Sequence, residues 1–70
     1  MDKVIRALIA TGAEMHWHYD DVNTRYVVRL FCGQRSKEVI IGQENVTSAM
    51  GAAAMERDLA QQIYGLQEGQ

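Results

Sequence analysis

Along the first eleven residues, Met1, Val4, Ile5, Leu8 and Ile9 recur at intervals of three and four, with Asp2, Lys3 and Arg6 between them. That period puts the apolar side chains on one face of a helix and the charges on the other. Gly12 follows the last periodic position and supplies the left-handed residue that commonly ends a helix. From Glu14 the period shortens to two, Met15, Trp17 and Tyr19 alternating with His16, His18 and Asp20. "DDVNT" comes next, rich in residues that bond their own backbone in turns. The run "RYVVRLFCG" is β-branched and aromatic, "GQR" makes a second turn, and "SKEVIIG" gives a third strand ending at Gly42. Short connections make antiparallel neighbours, so Glu14 to Gly42 is predicted to form a three-stranded meander. The stretch "NVTSAMGAAAMERDLAQQIYG" has no proline and is built from good helix formers, with Asn45 as its cap and Gly65 as its terminator. The pattern therefore predicts an α+β fold in the order α-β-β-β-α, a three-stranded antiparallel meander with both helices packed on one face. One compact domain spans 1–66, and 67–70 form a frayed C-terminal tail.

The alternation also assigns the faces of the sheet. Met15, Trp17 and Tyr19 make the inner row of the first strand, because the other parity buries two histidines and an aspartate. On the second strand Tyr26, Val28, Leu30 and Cys32 point inward. The reverse would bury Arg25 and Arg29, at a far higher cost than exposing Val27 and Phe31. Val39 and Ile41 complete the inner face. The outer face then gathers His16, His18, Val27, Arg29, Phe31, Glu38 and Ile40, an apolar patch edged by arginine and histidine, which is the composition of interface centres. On the last helix Ala49, Ala52, Ala53, Leu59, Ala60 and Ile63 share one broad arc with Glu56 in its middle, where a carboxylate is expected to pair with Arg6 or Arg57 or to reach solvent.

Composition narrows the classes. Seventy residues make one domain, and a chain this short buries only about 60% of its unfolded surface. Stability then usually leans on disulfides, a metal or a partner chain. Cys32 is the only cysteine, which excludes an internal disulfide, and no Cys/His group has zinc spacing. A second copy of the chain is the expected helper. The formal net charge of −2 gives no basic footprint for nucleic acid. Asp2, Lys3 and Arg6 interrupt the first apolar run too closely for a signal-peptide core, and with a lone thiol this predicts a cytoplasmic protein without a membrane contact.

Candidate chemistry is sparse. His16 and His18 share a face with Asp20, but the neighbouring outer positions bring Arg25 and Arg29, a poor surrounding for a cation. Cys32 lies on the opposite face from both histidines, so no Cys/His nucleophile pair forms. No GxSxG, P-loop, HExxH or GxGxxG occurs, and neither enzyme activity nor a cofactor is expected.

The order helix, three antiparallel strands, helix resembles that of the double-stranded-RNA-binding domain, and "MGAAAMERDLA" is similar to the alanine-rich second helix of that family. The resemblance implies the topology. Phosphate binding in that family rests on a lysine cluster at the start of the last helix, where this chain reads "GQENVTSAMG". The same order in a short acidic chain with a polar hairpin tip also looks like some phage-encoded anti-CRISPR inhibitors, which implies an inhibitor of a host defence protein. The combined expectation is a small homodimeric protein-binding module, without catalysis, acting as an inhibitor or accessory factor of this phage-type, anti-CRISPR-like kind. A nucleic-acid-associated domain is the alternative. Val27, Arg29, Phe31 and Ile40 are the expected contact centre with His16 and His18 at its edge, and Ala49, Ala52, Ala53 and Glu56 are expected to serve the dimer.

Overall fold

Ten residues with helical periodicity, Asp2–Thr11, wind into α1 in a computed structural model that describes residues 2–68. The Gly12 N–H donates to the Leu8 carbonyl at 2.9 Å, and Gly12 takes φ +72°, so the expected left-handed residue ends the helix. Three strands follow, β1 (Glu14–Asp20), β2 (Arg25–Cys32) and β3 (Arg35–Gly42), forming an antiparallel meander in the order β1-β2-β3. Gly33, at φ +63°, is the first of two residues linking β2 to β3, the position at which tight hairpins favour glycine. Two helices close the chain, α2 (Gln43–Thr47) and α3 (Ala49–Gln67). The predicted α+β architecture holds, with the C-terminal helical segment divided in two.

That division corrects the expected start of the last helix. Asn45 lies inside α2, and Ser48, in extended conformation, is the true cap of α3: its hydroxyl accepts from the Gly51 N–H at 2.8 Å. The end is corrected as well. Gly65 sits within α3, because the next residue, Leu66, is buried in the core and draws the helix onward. Arg35 Nη1 donates to the carbonyls of Leu66 and Gln67 at 3.4 and 3.2 Å, placing a cation where the helix dipole favours one. Gln67, assigned to the frayed tail, is thus helical and Glu68 is its cap, while Gly69 and Gln70 lie outside the described residues.

The core confirms the inner parity of the sheet. Val28, Leu30 and Ile41 are buried against Val4 and Ala7 of α1 and Leu59, Ala60, Ile63 and Leu66 of α3, with Met15, Tyr26, Cys32 and Val39 packed around them. α1 rests mainly on α3, and this shifts its buried face from the predicted one. A short helix held by one neighbour buries a narrow stripe, here Val4, Ala7 and Leu8, at the spacing i, i+3, i+4. Ile5 and Ile9 turn outward, Ile9 being 78% exposed, and Met1 lies outside the described residues. Among the described residues no helix is long and apolar enough to cross a membrane.

Candidate functional site

Strand register brings the expected outer-face residues together in cross-strand rows. Phe31 lies between Glu14 and Ser36, Arg29 between His16 and Glu38, and Val27 between His18 and Ile40. Their contacts are largely with one another. Arg29 Nε and Glu38 Oε2 are 3.4 Å apart, His16 Nε2 and Glu14 Oε2 are 3.5 Å apart, and the His16 ring meets Phe31 edge-on with centroids 5.7 Å apart. Ile40 is 46% exposed, but Val27, expected to be open at the centre of the patch, is only 7% exposed. A short β-branched side chain on the middle strand is shaded by the longer groups beside it, His18 and Ile40. The outer face is therefore a mixed surface whose centre is filled from within the sheet.

The inner face carries the larger opening. Helix α1, at about 1.5 Å per residue, is roughly 15 Å long, whereas an eight-residue strand runs roughly 26 Å. α1 approaches the sheet at the Cys32 end, where the Cys32 thiol lies 3.9 Å from the Thr11 carbonyl, and α3 packs mainly on β2 and β3, so the end of β1 that carries Trp17 and Tyr19 is left bare. Trp17 is 62% exposed and Tyr19 40% exposed, although both point to the same side as the core. Tyr26 stands between them, its ring 5.6 Å from Trp17 and 5.0 Å from Tyr19, both in tilted geometry that suits aromatic quadrupoles.

A groove of about 410 Å³ results. Its floor is Met15, Trp17, Tyr26 and Val28, its wall is Ala52, Met55, Glu56 and Leu59 of α3, and Val46 of α2 stands at one end. The small residue Ala52 keeps α3 from filling the space. The Tyr19 hydroxyl donates to Gln43 Oε1 at 2.7 Å, and the Gln43 N–H donates to the Thr24 carbonyl at 3.1 Å, which ties the start of α2 to the first hairpin. The groove is held open between braced elements.

Glu56 is half-buried in this wall and performs a task that the sequence reading assigned differently. Its Oε1 accepts from the Lys3 backbone N–H at 3.2 Å, so the carboxylate meets the first turn of α1 rather than Arg6 or Arg57, while its part-exposed side chain keeps the expected access to solvent. A carboxylate there complements the positive end of the helix and docks α1 onto α3. Of the other residues assigned to a dimer surface, Ala52 is half-buried in the groove wall, while Ala49 and Ala53 are exposed. Among the described residues no three His, Cys, Asp or Glu side chains stand close enough to share a metal ion.

Parity alone assigns Trp17 and Tyr19 to the core and so hides the groove, because it gives the direction of a side chain and not its cover. The alanine-rich start of α3 carried the signal, since a side chain as small as Ala52 leaves the space over Trp17 unfilled. Scanned against models of protein families and searched against curated proteins and solved structures, the chain matches none.

Proposed function

We propose that the protein is a non-enzymatic protein-binding module that docks its partner in the inner-face groove. The observation that carries this reading is Trp17, a large aromatic left 62% exposed on the floor of a concave apolar surface. Aromatic anchors in pockets dominate interface energetics, and an open groove between helix and sheet suits the apolar face of a partner element. The lining supplies one carboxylate, Glu56, already engaged with α1, and no basic or thiol group. No lysine or arginine occurs from Gly42 to Glu56, so the elbow between α2 and α3 offers no charge to a phosphate backbone. The outer face, with Arg29, Phe31 and Ile40, is the secondary surface, and its charged members are already partnered across the strands. An inhibitor or accessory role is compatible with a module of this kind.

A photo-reactive phenylalanine analogue placed at position 17, and separately at position 31, tests the assignment in extracts of cells that produce the protein. The expected result is a protein adduct from position 17 that disappears when Met55→Asp is introduced in the opposite wall. An adduct from position 31 alone would move the interface to the outer face and overturn the reading.

A further inference from the structure

Building on the docking reading above, we infer that the partner protein supplies an extended segment that joins the open edge of β1 as a fourth strand, its apolar side chains turned toward Trp17 and its basic ones toward Glu14. The two edges of the sheet differ in protection. β1 and β3 are both outer strands, so alternate residues of each turn their N–H and C=O groups away from β2, a row that another strand completes. Charged side chains and covering elements are the usual means of keeping a foreign strand off such a row. β3 has both: Arg35, Lys37 and Glu38 put charge along it, and α2 and α3 pack against it. β1 lacks them between its ends. Met15 to Tyr19 holds no lysine, arginine, carboxylate, proline or glycine, and β1 pairs with β2 throughout without a bulge. The helices pack mainly on the other two strands, which leaves this edge open along the side of the groove.

The two faces of β1 set the chemistry of the added strand. Its inner row is Met15, Trp17 and Tyr19, and a strand laid beside it brings inward-facing side chains into contact with them, covering Trp17 from the side that α3 leaves open. Apolar residues suit that row. The outer row is Glu14, His16, His18 and Asp20, and the run from Glu14 to Thr24 holds three carboxylates and no lysine or arginine. Arg25 answers Asp20, and Arg29 is turned to Glu38 on the far side of β2. Glu14 and Asp21, both exposed, therefore leave the edge acidic, which favours lysine or arginine on the outer row of the partner strand and disfavours carboxylates there. In strand addition the backbone hydrogen bonds give affinity and the alternate side chains give specificity. The segment expected is thus an extended one in which apolar and basic residues alternate.

The test titrates purified protein, up to millimolar peptide, with a capped peptide of alternating lysine and valine as long as β1, and with its glutamate and valine counterpart. Amide hydrogen exchange followed by NMR reads each N–H of the sheet, and the emission of Trp17, the only tryptophan, reads its cover. The lysine peptide should slow exchange at alternate residues between Glu14 and Asp20, leave β3 unchanged and shift Trp17 emission to the blue. The glutamate peptide should bind about tenfold more weakly at low salt, and Glu14→Lys combined with Asp21→Lys, both at exposed positions, should reverse that preference. Protection along β3 instead, a blue shift without protection of β1, equal binding of the two peptides or no response to either overturns the proposal. So does a doubled mass in sedimentation with β1 already protected before peptide is added, which would give the edge to a second copy. If the proposal fails while cross-linking from position 17 still captures a protein, the docking reading stands; absence of that adduct as well removes it.

Discussion

Gly51→Ala sets two ordinary rules against each other, and the structure decides between them. Gly51 lies in the first turn of α3, where replacing glycine by alanine normally gains up to about 1 kcal/mol through helix propensity. A Cβ built there would stand 2.6 Å from Ser48 Oγ, 2.8 Å from Asn45 Cα and 2.9 Å from the Asn45 carbonyl oxygen. Two of these atoms are backbone of α2 and cannot rotate aside. Moving the Ser48 hydroxyl sacrifices the cap, worth about 1 kcal/mol, and displacing packed backbone costs about 1–3 kcal/mol. The net expectation is a loss of about 1–3 kcal/mol. For a domain of this size, whose total stability is about 3.5–10 kcal/mol, that is a large share, and it lowers Tm by about 5–20 °C. Urea unfolding at neutral pH, followed by far-ultraviolet dichroism, gives the midpoint and slope. Ala54→Gly, at an exposed position one turn on, is the control and should lose about 1 kcal/mol by propensity alone. Equal or higher stability of Gly51→Ala would refute the reasoning, because α2 would then have to yield freely against α3.

Two other substitutions probe separate parts of the structure. In the first hairpin the Asn23 side-chain amide and Arg25 Nε both donate to Asp20 Oδ2, at 2.9 and 3.1 Å. The Asn23 side chain first, then its backbone N–H and Arg25, hold the Asp20 carboxyl below its ordinary value, partly opposed by desolvation. A lowered folded value means that the stabilisation is complete above the ordinary carboxylate range and is lost as pH falls through the folded value. Wild type should therefore exceed Asp20→Asn in Tm at pH 6, with the gap closing at acid pH; a gap that stays constant down to pH 2 would contradict the assignment. On α1, Val4→Ala should cost about 2 kcal/mol for two buried carbons and the space they leave, whereas Ile9→Gln should stay within about 0.5 kcal/mol. Chemical denaturation of the two variants checks which face of the helix is buried, and the reverse ranking would restore the face read from periodicity.

Alternation over β1 and β2 carried most of the fold into view, because a one-residue slip would have buried Arg25 and Arg29, and no helix could repair that. Parity, however, says which way a side chain points and not what lies above it. Trp17 and Val27 show the two sides of this: one points inward and is open because the helices pack on the other strands, the other points outward and is closed because its neighbours are large. The helix boundaries were legible only to within a turn. Asn45 and Ser48 are both good caps, and the choice between them turned on the Ser48 hydroxyl reaching Gly51, while Gly65 lost its role as terminator to the burial of Leu66 one residue later. Glu56 stood out from its place in the pattern as a carboxylate in an apolar arc, but it accepts from a backbone N–H more than fifty residues away, which side-chain charge matching does not search.

The reliance of α1 on α3 has a consequence for timing. The meander needs only contacts within one run of residues and can assemble as soon as β3 has left the ribosome. α1, made first, has little to hold it until α3 arrives, since its main support and the acceptor for the Lys3 N–H both come from the last element. At synthesis rates of about 5–20 residues per second, the sheet waits for seconds with its inner face bare. During that interval the nascent chain presents Leu30, Val28 and Ile41 together with Trp17, a surface larger and more apolar than the finished groove. The clamp of Arg35 on the Leu66 and Gln67 carbonyls forms only when the whole helix is present, and it marks the moment at which this surface shrinks to its final size.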